Sequence, residues 1–179
     1  MRKALLILIG LPLILSAGGI RENTEDTLRD ILGPGITLTM KKMPLPARAR
    51  KSAEKKVRQR FFKKWLYGWR ISRNDSTLAY ALLDNVKGKA MPITFLVVFN
   101  PDGDIRATRI IKYREAIGGA VQNLSWLRQF SGLTADSSYT VGRKIDGISG
   151  ATISVHSVTR GIHKLTLVFP ALKEVLDEQ

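Results

Sequence analysis

A chain of 179 residues with 44% apolar and 25% charged side chains can bury one packed core, and that balance excludes an intrinsically disordered polymer. The absence of cysteine excludes disulfides, thiolate-ligated iron–sulfur clusters, CxxCH haem attachment and a cysteine nucleophile. A formal net charge of +14 can attract nucleic acid, anionic lipid or an acidic protein, and composition does not choose among them.

Arg2 and Lys3 precede an apolar run over residues 4–15, and Ser16, Ala17, Gly18 and Gly19 follow it. This charged, apolar, small order is that of a secretory signal, so residues 1–19 are expected to be a signal peptide or, if uncleaved, an N-terminal anchor. The run is short for a spanning helix, which needs about 20 apolar residues, and Pro12 interrupts it. Either way the body of the chain is expected to be extracytoplasmic, in the periplasm or on the outer face of the inner membrane, where nucleic acid is not an expected partner.

Residues 23–32 read as a short helix, capped by Asn23 or Thr24, with Glu25 and Asp26 in its first turn and Gly33-Pro34-Gly35 stopping it. Residues 36–40 alternate like a strand. Beyond Pro44 and Pro46 a second helix is expected over 47–66, with Val57, Phe61 and Trp65 four apart on one face. The cations concentrate here, because between Lys41 and Arg73 the sole acid is Glu54. Two readings stay open. The segment from Lys41 to Lys64 docks an anionic membrane surface or an acidic redox partner, or it is a solvated helix that packs Phe61 and Trp65 inward.

The middle of the chain is β-rich. Residues 69–72 and 78–83 flank the turn pair Asn74-Asp75, and 93–99 and 105–112 form a hairpin around Asn100-Pro101-Asp102-Gly103. Residues 123–130 suggest a short helix with Trp126, Leu127 and Phe130 at core spacing, and a polar loop follows over 134–139. A last helix is expected over about 152–169, with the stripe Val155, Val158, Ile162, Leu165 and Phe169. The order predicts an α+β fold, mainly an antiparallel sheet with helices covering one side. Residues 20–66 would be a helical, basic N-terminal part and 67–179 the core domain. His156 and His163 have no HExxH or facial-triad company, so no metal site is expected.

The chemistry concentrates in Asp146-Gly147-Ile148-Ser149-Gly150-Ala151-Thr152-Ile153-Ser154, a small, hydroxyl-rich loop running into the last helix. A helix N-terminus offers unpaired N–H groups and a positive dipole end, which suit a phosphate. The plainer alternative is a helix start in which Thr152 or Ser154 serves as N-cap. A nucleophile elbow fails because Ala151 stands at its last glycine, and a P-loop fails for want of its lysine.

The run from Asp146 to Thr152 resembles the Asp-x-x-Ser/Thr-Gly-Ala-Thr/Ser flavinylation motif of the FMN-binding domain family, which includes the G subunit of Rnf and the C subunit of Nqr complexes. Lys87-Gly88-Lys89, Pro92-Ile93-Thr94-Phe95, the Asp102-Gly103 hairpin, Tyr113-Arg114-Glu115 with Gly118, and the stretch 126–132 fall in family order. The resemblance implies FMN joined by a phosphoester to Thr152, attached by a flavin transferase. Ser149, Gly150, Ala151, Ile153 and Ser154 would surround the phosphate, and Asp146 would engage the transferase. It also implies that Glu115 and the Ile117-Gly118-Gly119 turn lie beside the flavin ring, although the family more often has a Glu-Thr-Pro-Gly-like or Gly-aromatic turn there. The function implied is that of an exported electron carrier working between a membrane redox partner and an extracytoplasmic acceptor, rather than a complete enzyme. The alternative from another class is a non-redox basic module that binds anionic lipid or an acidic partner.

Overall fold

Five strands account for the middle of the chain in the computed structural model, which describes residues 19–178; the expected export signal, Gly19 apart, lies outside them. They are β1 (Thr37–Pro44), β2 (Trp65–Arg73), β3 (Ser76–Lys87), β4 (Pro92–Phe99) and β5 (Ile105–Lys112). Each pairs antiparallel with the next, in the order β1-β2-β3-β4-β5. The turns explain the meander. Asn74 and Asp75 both take positive φ, 50° and 61°, the twist that joins two strands through two residues. Between β4 and β5 the Asn100 N–H donates to the Asp104 carbonyl at 2.9 Å, and Gly103 supplies the φ of 97° that the turn needs.

Both faces of the sheet are covered, where the sequence suggested one. β4 is buried without a break from Ile93 to Phe99, so its alternate residues must serve two cores. On one face Leu82, Phe95, Val97 and Phe99 pack with α4 (Thr152–Asp177) and α2 (Ala47–Val57). On the other, Trp69, Ile71, Ala81, Leu96 and Val98 receive Leu28 and Leu32 of α1 (Ile20–Leu32). The spacing of Thr24, Leu28 and Leu32 puts one buried stripe on α1, and the doubly apolar β3 and β4 supply the second face it needs.

The second helix is shorter than its periodicity suggested. It ends at Val57, and Arg58 adopts the left-handed conformation with φ 55°. Phe61 is buried from a loop, where its N–H donates to Glu54 Oε1 at 3.0 Å, and Arg50 holds the same carboxylate at 3.1 Å. Trp65 instead opens β2, opposite Pro44 of β1. The 20–66 segment therefore contributes a strand to the common sheet, and residue 66 lies inside β2. Among the described residues no helix is long and apolar enough to cross a membrane.

Helix α4 crosses the sheet and continues through Pro170 to Asp177, about two turns beyond the expected end. An interior proline loses a helical hydrogen bond, and the complete burial of Leu172, with Leu176 at 1% exposure, offsets that loss. Gly161 lets the helix sit close, because a Cβ there would lie 2.5 Å from Val86 Cγ1 and 2.8 Å from Phe95 Cζ. Gly161→Val should therefore destabilise the protein by roughly 1–3 kcal/mol despite the loss of a helical glycine, measurable by urea denaturation. One charged contact also crosses this interface: Lys164 Nζ of α4 stands 3.1 Å from Asp84 Oδ2 of β3, with both side chains almost wholly buried.

Candidate functional site

The loop before α4 runs into an uncapped helix end. Ala151 is the N-cap, with φ −122° and ψ 19°, and no side chain bonds to the end of the helix. The first helical bond joins the Val155 N–H to the Ala151 carbonyl at 2.9 Å, which leaves the N–H groups of Thr152, Ile153 and Ser154 without helical acceptors. Thr152 is thus the first helical residue rather than the cap, and its side chain is exposed. Ser154 does not cap the helix either. It is buried, and its Oγ lies 3.0 Å from the Tyr113 hydroxyl. Gly150 turns the chain with φ 75° in open space.

The facing wall comes from the segment after β5. The Tyr113 hydroxyl donates to the Ile117 carbonyl at 2.6 Å while it meets Ser154, so one side chain ties the 117–118 turn to the start of α4. Gly118 has φ 88°, and a Cβ on it would stand 2.7 Å from the Tyr113 oxygen and 3.0 Å from Ser154 Oγ. Glycine is required there on both counts. Glu115 is tied down as well: its Oε1 accepts the N–H groups of Ala90 at 3.1 Å and Met91 at 3.3 Å, and so pins the β3–β4 loop to the end of β5. Gly118→Val should separate the turn from α4 and cost on the order of 1–3 kcal/mol, with the loss visible in thermal unfolding.

Between these walls lies a groove of about 220 Å³, with Lys89 at its rim. It gathers Glu115, Ile117, Gly118, Gly150, Ala151, Thr152, Ile153 and Ser154 from the residues singled out in the sequence. Two of them are apolar yet open to solvent, Ile117 at 70% and Ile153 at 49% exposure. Ser149 falls instead on a second depression of about 260 Å³, which Thr152 also borders and which His156 and Val141 help to wall. Asp146 and Gly119 border neither. Gly119 begins a short 3-10 turn, Gly119–Gln122. Asp146 stands at the head of the loop with its backbone clamped, since its carbonyl accepts from Trp126 Nε1 at 2.8 Å and its N–H donates to Gln129 Oε1 at 2.8 Å. Trp126 itself is a core residue, 6% exposed and edge-on to Phe130.

Tyr113 and Lys89 were not among the site residues drawn from the sequence. Both stand in the stretches that resemble the family, but nothing in their spacing announces a bridge from β5 to α4 or a cation at the groove's edge. Among the described residues no group of three or more His, Asp or Glu side chains is placed to hold a metal ion.

The donor set suits a phosphorylated, partly apolar ligand. It offers three outward N–H groups and a dipole end for an anion, a nearby ammonium, and exposed isoleucines for a flat ring. A sequence comparison finds no match among curated proteins. Residues 88–166 match the family model of the FMN-binding domain, a span that holds every residue of this groove. That match and that set of donors agree: residues 88–166 carry an FMN-binding domain, and they support FMN as the cofactor.

Proposed function

We propose that the chain is an exported electron carrier whose FMN is bound covalently, by a phosphoester to Thr152 Oγ1. The observation that carries this reading is the exposed Thr152 hydroxyl on the first residue of an uncapped helix, beside a groove whose walls expose Ile117 and Ile153. In that position the N–H groups of residues 152–154 and the Lys89 ammonium balance the phosphate charge, and Tyr113 holds the two walls at fixed separation. When bound, FMN supplies the one- and two-electron redox chemistry, and the protein's task is to hold the ring and leave an edge accessible.

Attachment is a phosphoryl transfer from FAD. The Thr152 oxygen forms the new bond to the FMN phosphorus, AMP leaves, and a flavin transferase supplies the metal and the in-line geometry. The exposed carboxylate of Asp146, on its clamped backbone, is available for that enzyme to grip. A covalent link keeps the carrier loaded outside the cytoplasm, where a dilute ligand would leave a reversible site by mass action. Electrons would enter from a membrane redox partner and leave to an extracytoplasmic acceptor.

The test is the intact mass of protein matured and exported alongside a flavin transferase. One FMN less one water should be added, localised by peptide mapping to Thr152. A bare polypeptide under those conditions refutes the covalent reading.

A further inference from the structure

We propose that the end of the sheet bearing Phe62 and Trp65 is a docking face for an anionic phospholipid bilayer, and that it turns the groove beside Thr152 toward that same bilayer. The docking stands independently of the flavin; its consequence for electron transfer rests on the function proposed above.

The face is built where β1 ends and β2 begins. Phe62 is 52% exposed. Trp65 is half-buried, with the ammonium groups of Lys42 and Lys63 at 4.3 and 4.4 Å from its ring centroid. Behind the two aromatics lies a mostly apolar cavity of about 380 Å³, bounded among others by Met40, Trp69 and Leu83. Among the exposed large hydrophobics of the described residues Phe62 is the one aromatic ring, and it stands inside the basic segment. Lysines whose stems and ammonium groups flank an indole, next to an exposed apolar ring, form the composition that settles at a headgroup boundary.

Charge selects the lipid. Between Lys41 and Arg73 the single acid, Glu54, is occupied by Arg50 and the Phe61 N–H. Some of these cations serve the fold. Lys41 serves the C-terminal end of α4 through the carbonyls of Val175 and Glu178, and Arg73 serves the end of α1 through the Leu32 carbonyl. Lys42 and Lys63 instead stand over the Trp65 ring, and Lys64 beside them in the chain is exposed. Ile20 and Arg21 also line the cavity, so the start of α1 borders this face. A bilayer satisfies the apolar, aromatic and cationic features together, whereas an acidic protein partner accounts only for the charge.

The strand register then fixes which way the groove looks. Trp65 pairs with Pro44, Lys87 with Pro92, and Thr94 with Lys112, so the start of β2 and the ends of β3 and β5 stand at one end of the sheet. The groove's Lys89 and Glu115 continue from those ends, and α4 begins there too. A bilayer seated on Phe62 and Trp65 therefore faces the end of the domain that carries Thr152.

The chain's lack of cysteine permits a direct test on the full-length protein. Phe62→Cys carries a polarity-sensitive fluorophore, and Ser76→Cys, exposed beside the turn at the opposite end of the sheet, carries the same label as a control. On phosphatidylglycerol-containing vesicles the label at 62 should shift to the blue and the label at 76 should not. On pure phosphatidylcholine the shift at 62 should be absent. Adding Lys42→Glu and Lys63→Glu should weaken the response by about tenfold or more. A label at 62 that ignores anionic lipid, or that responds only when an acidic membrane protein is present, overturns the proposal. Because the readout needs no flavin, a failure to acquire FMN leaves this result standing.

Discussion

Thr152→Ala should abolish covalent flavin completely while the protein remains folded, and Thr152→Ser should keep the flavin. The two outcomes separate because the threonine has little structural work: it is exposed, it does not cap α4, and no side-chain bond at the helix end depends on it. The change in folding stability should stay within about 0.5 kcal/mol, the range of an ordinary surface substitution. Flavin loss should nevertheless be all or none, because a methyl group has no oxygen to bond to phosphorus. The measurement is ultraviolet fluorescence of the denatured band after co-expression with a transferase, alongside urea unfolding of both variants. A fluorescent Thr152→Ala band would move the linkage to another hydroxyl. Ser154 is buried against Tyr113, so exposed Ser149 would be the place to look.

The largest stability effect should come from the ion pair that joins α4 to β3. Lys164 is fully buried and stands over the Phe61 ring at 4.0 Å, with its Nζ donating to the Arg60 carbonyl at 3.2 Å. Asp84 Oδ2 has no well-aligned hydrogen bond of its own and depends on the ammonium 3.1 Å away. Lys164→Met strands that carboxylate, and the expected cost is about 3–5 kcal/mol. Adding Asp84→Leu should recover most of it, since well-packed apolar residues often replace a buried pair without loss.

The sign with pH follows from burial, which holds the Asp84 carboxyl above its ordinary value while the Lys164 charge pulls the other way. A raised folded value favours the protonated acid in the native state. Its contribution is complete below the unfolded value near pH 4 and is lost as pH rises through the folded one. Without Lys164 that value climbs further, so the deficit of Lys164→Met should be smaller at about pH 5 than at about pH 8. An equal deficit at both would show that the carboxylate is not the stranded group.

How much of this was legible in the sequence depended on whether the information was local. The α4 stripe from Val155 to Phe169 and the turn at Asn100 to Gly103 are written in adjacent residues, and both formed where expected. Val57, Phe61 and Trp65 misled because four-residue spacing is only a helix signal while the backbone stays helical, and Arg58 leaves it. Phe61 was then recruited by Glu54, and Trp65 by Pro44 across a strand pair, neither of which periodicity can show. The site divides in the same way. Thr152 and its loop stood out because seven consecutive residues carry the motif. The Tyr113 bridge and the Glu115 tie to Ala90 and Met91 join segments 41 and 25 residues apart, and only the folded sheet brings those together.

The contrast between β4 and the groove bears on how such a protein could be loaded at all. β4 is paired on both edges and covered on both faces, so its amides belong to the last part of the molecule to breathe. The loop before Thr152 is held at its ends, by the buried Ile145 and Ala151 and by side-chain clasps, Trp126 and Gln129 on Asp146 and Tyr113 on Ser154. Each such clasp is worth roughly 0.5–1.5 kcal/mol net. A modifying enzyme could therefore reach Thr152 by displacing the exposed residues 146, 147, 149 and 150 while Ile145 and Ala151 stay anchored in the core.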